Sequence, residues 1–283
     1  MLAASTRKIG PVATNVLDLA PRPADLRLRY GDQPSQLVDL YRPPGEGPFP
    51  VVILVHGGYY RAAYDLGHMS HLAWALRERG LACWNLEYRR LGEAGGGWPN
   101  TFLDVAAGAD ALRVAAARHG LDPGRVLAVG FSAGGHLALW LAARHRVPSG
   151  DPLHDPAPLV LRGAVSLAGV IDLRRGSELG LSGRVIDQLL GGTPGVVPHR
   201  LATASPYELL PLGRPQLLVH GQRDEAVPIE LSRRYAERAR AYGDPVELVE
   251  LPETGHFELI DTRLLQGLEV VRRVERMARG LEA

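Results

Sequence analysis

The stretch Val126-Leu127-Ala128-Val129-Gly130-Phe131-Ser132-Ala133-Gly134-Gly135-His136 changes character twice within a few residues. Val126 to Val129 is a short apolar run of the kind that forms a strand covered on both faces, whereas Ala133 to His145 is alanine-rich and reads as a helix. Between them sits Gly-x-Ser-x-Gly. Small residues at 130 and 134 let the chain turn sharply, which lifts the Ser132 hydroxyl above the sheet edge and leaves the Ala133 amide facing the same space.

The same alternation continues on both sides of this turn. Pro50 to Val55 and Leu81 to Tyr88 read as strands before it, with a glycine-rich loop from Leu91 to Pro99 and a helix from Asp104 to Arg118. After it come strands at Gly163 to Leu167, Gln216 to Val219 and Val246 to Leu251, with helices at Pro228 to Tyr242 and Arg263 to Arg279. Strands separated by helices predict a mostly parallel central sheet with helices on both faces, in a single α/β domain spanning residues 1–283. The 33 glycines and 22 prolines are spread between these segments and punctuate them, forming no low-complexity tract. Leu26 to Tyr30 and Leu37 to Tyr41 alternate and predict an antiparallel edge hairpin with Asp32 and Pro34 in its turn. Two segments interrupt the repeat: 147–158, and 169–211, which contains a candidate helix at Leu179 to Leu190. An insertion after a strand of such a sheet projects from the edge where ligands bind, so 169–211 is a candidate cap or active-edge insertion.

An isolated serine is a poor nucleophile and needs a base, and the base needs an acid that fixes its tautomer. His256 lies in the loop after the Val246 strand and Asp224 in the loop after the Gln216 strand, which gives the chain order Ser132, Asp224, His256. His56, His136 and His220 also stand near strand ends or helix starts, and Glu225, Asp261 and Asp172 are alternative acids. Acyl transfer further requires donors for a developing oxyanion. The loop His56-Gly57-Gly58-Tyr59-Tyr60 follows the first central strand and has no side chains at 57 and 58 to hold other groups away, so the amides of Gly58, Tyr59 and Ala133 are the candidate oxyanion hole. Tyr59, Tyr60, Tyr64 and Trp98 lie in or beside the candidate active-edge loops, and Tyr60, Tyr64 and Trp98 are candidate substrate-pocket residues.

This combination resembles the α/β-hydrolase superfamily and, within it, the esterase and lipase group that carries an HGG-type oxyanion loop. The resemblance runs over roughly residues 35–280, through His56-Gly57-Gly58, the serine turn, Asp224 with Val227-Pro228, and Gly255-His256. It implies an α/β-hydrolase fold, Ser132 as nucleophile, His256 as base, Asp224 as its orienter and the loop amides as oxyanion donors. Position 59 is tyrosine where hormone-sensitive-lipase-like chains commonly have a third glycine. The loop is also similar to the His-Gly-Gly-x-Trp of arylformamidases such as kynurenine formamidase, with Tyr60 in place of the tryptophan. The expected activity is hydrolysis of small to medium carboxylic esters, with aryl N-formyl amides as the alternative substrate class. A non-catalytic small-molecule-binding protein on the same fold would require Ser132 inaccessible, or His256 and Asp224 turned away from it.

Composition excludes several other classes. With 32 basic and 31 acidic side chains in 283 residues, 46% of them hydrophobic, the chain is globular and has no long-range field for a nucleic-acid backbone. Arg233, Arg234, Arg238 and Arg240 read as a solvated helix face. The single cysteine, Cys83, sits in an apolar run and excludes a disulfide scaffold. No segment approaches the roughly 20 apolar residues of a membrane span, and Met1 to Lys8 lacks the order of a secretory signal, so the cytoplasm is the expected location. The chemistry requires no metal and no cofactor, and no compact ligand spacing suggests one. Leu264, Leu268, Val271, Val274 and Met277 on the terminal helix suit either core burial or a dimer surface, so monomer and homodimer both remain open.

Overall fold

In a computed structural model, which describes residues 15–280, eight strands form one sheet: β1 (Leu26–Arg29), β2 (Leu37–Tyr41), β3 (Phe49–Val55), β4 (Ala82–Leu86), β5 (Leu121–Phe131), β6 (Gly163–Leu167), β7 (Gln216–Gly221) and β8 (Val246–Leu251). Their order is β1-β2-β4-β3-β5-β6-β7-β8. The first two strands form an antiparallel hairpin, β2 pairs antiparallel with β4, and every other pairing is parallel. The N-terminal residues Met1 to Lys8 lie outside the described residues.

The central strands lack hydrophobic–polar alternation because both faces of the sheet are covered. Val51, Ile53 and Val55 of β3 point into one core layer with Trp84, Phe102 and Trp140, while Val52 and Leu54 point into the other with Val129, Leu72 and Val274. Edge strands β1 and β8 are more exposed. The terminal helix, Leu265–Arg279, buries Val270, Val271 and Val274 against the second layer with Met277 packed beside them, while Leu264 and Leu265 stay exposed.

Boundaries differ from the sequence reading where tertiary pairing intervenes. The helix expected from Asp104 begins earlier and is divided at Ala111 into Asn100–Asp110 and Leu112–His119, the second closed by Gly120 in the left-handed conformation. β5 starts at Leu121 because that residue pairs with Phe49. Residues 169–211 fold as Leu173–Glu178, a kinked Leu181–Leu190 and Pro198–Ala204. Their Val185, Ile186, Leu189 and Leu201 are buried in the first core layer, so this segment is packed onto the domain.

Chain direction fixes where function can sit. After β3 the chain moves to β4 on one side, then returns to β5 on the other, so the loops leaving β3 and β5 diverge at a switch point in strand order. The loops after β3, β5, β7 and β8 all leave the same, carboxyl edge of the parallel sheet. Those loops carry His56 to Tyr60, Ser132, Asp224 and His256.

Candidate active site

Ser132 stands between β5 and the helix Ala133–Ala143 with φ 56° and ψ −120°, a backbone conformation that costs a non-glycine residue of order 1–3 kcal/mol. The turn is held by the Ser132 amide, which donates to the Leu167 carbonyl at 2.8 Å. Its flanking glycines are required by backbone proximity. A Cβ at Gly130 would lie 1.9 Å from the Gly134 carbonyl oxygen, and one at Gly134 would lie 2.0 Å from that of Val55. Gly134→Ala is therefore expected to destabilise the fold by about 3 kcal/mol or more, because rigid backbone, not a side chain, must move. Urea unfolding of the variant measures this, and a midpoint equal to that of the parent would contradict the packing.

His256 Nδ1 donates to Asp224 Oδ2 at 2.6 Å. A carboxylate only accepts, so this contact puts the neutral ring's proton on Nδ1 and leaves Nε2 as the basic nitrogen. The ring lies 4.6 Å from that of Phe131 and 5.1 Å from that of Phe257, centroid to centroid, and is almost fully enclosed. The Asp224 side chain has no solvent exposure. Burial opposes its charge, but hydrogen bonds from His220 and His256, the charge of His256 and the Val227 amide outweigh it and hold the carboxyl well below the usual carboxylate range. Its other oxygen, Oδ1, accepts from the amides of Ala226 at 2.9 Å and Val227 at 2.8 Å.

Ser132 and His256 line one small cavity of ≈ 60 Å³ together with Gly58, Tyr59, Tyr64, His68, Phe131, Ala226 and others. Gly57 approaches the serine so closely that a Cβ there would lie 2.9 Å from Ser132 Cβ. Gly58 takes φ +107°. Among the described residues, no backbone acceptor takes the amide of Gly58, Tyr59 or Ala133. His56 braces this loop from below: Nδ1 donates to the Gly57 carbonyl at 2.7 Å, and Nε2 meets Glu87 Oε1 at 2.8 Å. The Tyr59 hydroxyl donates to the Ala226 carbonyl and ties the loop to the one that carries Asp224.

Two of the aromatic residues expected in the pocket are elsewhere. Tyr60 has no solvent exposure, and its hydroxyl donates to His136 Nδ1 at 2.9 Å. The reason is local: Tyr59 and Tyr60 both have positive φ, 51° and 58°, and this reverses the chain so that Tyr60 faces the core. Trp98 is held away by its amide, which donates to Leu189 at 2.8 Å, and by edge contact with Phe102. Tyr64 does line the cavity and is partly exposed. Residues 169–211 supply none of the lining.

The alternative histidines and acids have other partners. His136 donates from Nε2 to Ala204, and burial lowers its pKa to about 4, so it is a neutral core residue. Asp172 caps the helix Leu173–Glu178, Asp261 pairs with Arg263, and Glu225 is exposed. Glu87 and Phe131 also belong to the site without a sequence signal that marks them; Glu87 has no local motif, and its role depends on contact across the sheet. A larger cavity, ≈ 600 Å³, opens beside Arg22, Arg27, Asp39 and Arg90, but it contains neither Ser132 nor His256; in its lining Arg27 pairs with Asp39 and Arg90 with Glu87. Among the described residues no cluster of His, Cys, Asp and Glu could hold a metal, and no helix is long and apolar enough to cross a membrane.

Comparison with known proteins matches residues 38–238 to the BD-FAE family model. The chain is 30% identical to esterase LipC of Mycobacterium tuberculosis over 251 residues, 83% of this chain and 60% of that protein. It is 26% identical to a probable isoprenylcysteine alpha-carbonyl methylesterase of Arabidopsis thaliana over 243 residues, 81% of this chain and 50% of that protein. It thus spans half to three-fifths of the length of these curated relatives. A propionate-bound esterase from Thermogutta terrifontis has the same fold, with a TM-score of 0.75 at 21% identity, covering 92% of this chain and 95% of that one. The matched segment holds the β3 loop, the serine turn and Asp224, and the architecture agrees across nearly the whole described chain; the protein belongs to the BD-FAE family, a hydrolase family of the α/β-hydrolase superfamily.

Proposed function

We propose that the protein is a serine esterase that cleaves small carboxylic esters through a Ser132, His256, Asp224 triad and an acyl-enzyme. The observation that carries this reading is the 2.6 Å contact from His256 Nδ1 to Asp224, in a histidine that shares a small cavity with a serine held at a strained turn. The relatives named esterase and methylesterase support carboxylic-ester chemistry.

In the proposed cycle, His256 Nε2 takes the Ser132 proton as Oγ attacks the ester carbonyl carbon. The carbonyl oxygen becomes negative and is received by the amides of Gly58, Tyr59 and Ala133, donors that have no backbone acceptor among the described residues. Protonated His256 then gives its proton to the departing alkoxide, and the acyl group stays on Ser132. Water, deprotonated by His256, repeats the attack and releases the acid.

Cavity size narrows the substrate. Pockets that enclose drug-sized ligands measure about 300–1,000 Å³, whereas this cavity measures ≈ 60 Å³ and is lined by the apolar side chains of Leu17, Phe131 and Phe257. Short acyl groups fit such a space and long ones do not. On a p-nitrophenyl ester series, kcat/KM is expected to be highest between acetate and butyrate and at least about tenfold lower at octanoate, since each excluded methylene is worth on the order of 1 kcal/mol. N-formylkynurenine belongs in the same panel. A maximum at octanoate, or preference for the formyl amide, would overturn the short-acyl ester reading.

A further inference from the structure

His220 is a second histidine on the proposed acid, and the chemistry above does not use it. It ends β7 beside Gly221, four positions before Asp224 in the chain, and is fully buried. Its Nε2 lies 2.9 Å from the Val227 carbonyl oxygen and 3.3 Å from Asp224 Oδ2. Both partners accept, so Nε2 carries the proton and one N–H faces two oxygens. At the other side of the ring, Nδ1 lies 2.8 Å from Ser232 Oγ, on the helix Glu230–Ala241. With Nε2 protonated in the neutral ring, Nδ1 accepts from the Ser232 hydroxyl. A hydrogen-bond chain therefore runs from Ser232 through His220 to the Val227 carbonyl, and the same N–H lies 3.3 Å from the carboxylate oxygen that His256 addresses.

We infer that His220 is the positioning residue of the acid: oriented by Ser232, its Nε2–H holds Asp224 Oδ2 and the Val227 turn so that the carboxylate stays aimed at His256. The inference rests on the triad reading above and adds to it a residue that touches neither substrate nor Ser132. Asp224 Oδ2 then divides its negative charge between two imidazoles. Removing His220 leaves more of that charge to His256, favours its imidazolium form and raises the pH at which it becomes a base. Other charged or titratable groups around these residues are Glu250, opposite His220 on β8 and bound by Arg233, the Tyr59 hydroxyl on the Ala226 carbonyl, and His68 and Tyr64, which line the cavity with His256. None of them is altered in the variants below.

The test compares His220→Asn, which cannot extend a donor to the Nε2 position, with His220→Gln, whose amide nitrogen can. His220→Asn is expected to lower kcat about tenfold with KM within twofold of the parent, and to move the acid limb of the kcat/KM profile upward by about half a pH unit or more. His220→Gln is expected to recover most of both. Parent kinetics in His220→Asn, or an equal loss in both variants without movement of the acid limb, would overturn the inference. Nitrogen NMR of the unaltered protein gives a readout independent of variant folding: His220 should carry a proton on Nε2, and a proton on Nδ1 alone would contradict the inference. Ser132→Ala, assayed in parallel on p-nitrophenyl acetate, separates the two readings. Parent-level turnover there would overturn the triad and the inference with it, whereas a silent Ser132→Ala beside an unchanged His220→Asn would remove only the role of His220.

Discussion

Ser132→Ala is expected to reduce turnover of p-nitrophenyl acetate by roughly 10⁴–10⁶-fold, with the fold and its thermal midpoint nearly unchanged. Loss on this scale follows because no other group takes over formation of the acyl bond; the remaining rate comes from oxyanion donors and substrate positioning. Stability should change little because the turn is specified by its neighbours. Gly130 and Gly134 allow the backbone approach, and the Ser132 amide, which alanine retains, makes the hydrogen bond to Leu167. Alanine at φ 56° carries a strain similar to that of serine. The effect therefore separates chemistry from folding. Initial rates and a melting curve on the same preparation check both halves, and a loss of turnover below tenfold would contradict the nucleophile assignment.

Asp224→Asn is expected to lower kcat by about 10³–10⁴-fold while KM changes little. Asparagine is nearly isosteric with aspartate, but it presents an amide whose orientation is set by two backbone donors at Oδ1, the amides of Ala226 and Val227. Its oxygen satisfies those donors at 2.9 and 2.8 Å, which are closer than the His220 nitrogen at 3.3 Å from Oδ2, so its NH₂ faces His256 Nδ1. That arrangement favours the tautomer with the proton on Nε2, which leaves no base toward Ser132. The same variant carries a stability signature. The Asp224 carboxyl is held below its unfolded value of about 3.9, so across that interval the unfolded chain binds more protons than the folded one. Its stabilisation is complete at pH values above the unfolded pKa and is lost as pH falls through the folded one. The parent should therefore lose urea resistance more steeply than Asp224→Asn below about pH 4, and parallel curves there would contradict the depressed carboxyl.

Sequence patterns carried the part of the architecture that is set locally. The apolar run at 51–55 is covered on both faces, and the glycines around Ser132 occupy points where backbone meets backbone. The hairpin of β1 and β2 was likewise legible from alternation. What escaped the sequence depends on contacts between distant segments. Tyr60 reads like a loop residue beside its neighbour Tyr59, yet two successive left-handed residues send one ring toward Ala226 and the other toward His136. Trp98 is drawn to Leu189, a partner supplied by the segment that the sequence marked only as an insertion. The helices Ser70–Arg77 and Pro198–Ala204 are short and leave no clear mark in the sequence pattern, because packing of Leu72, Leu76 and Leu201 stabilises them more than their own propensity does. His220 was visible as a histidine near a strand end, but only the fold sets its Nε2 between Val227 and the acid.

The central claim is that Ser132 becomes covalently acylated, and mass spectrometry of a rapidly quenched reaction tests it most directly. The parent protein mixed with p-nitrophenyl acetate and stopped in acid within the first turnovers should yield the peptide containing Ser132 with one acetyl group, at a stoichiometry that matches a burst of p-nitrophenol. Turnover with that peptide unmodified, or with the acetyl group on another residue and persisting in Ser132→Ala, would contradict the account.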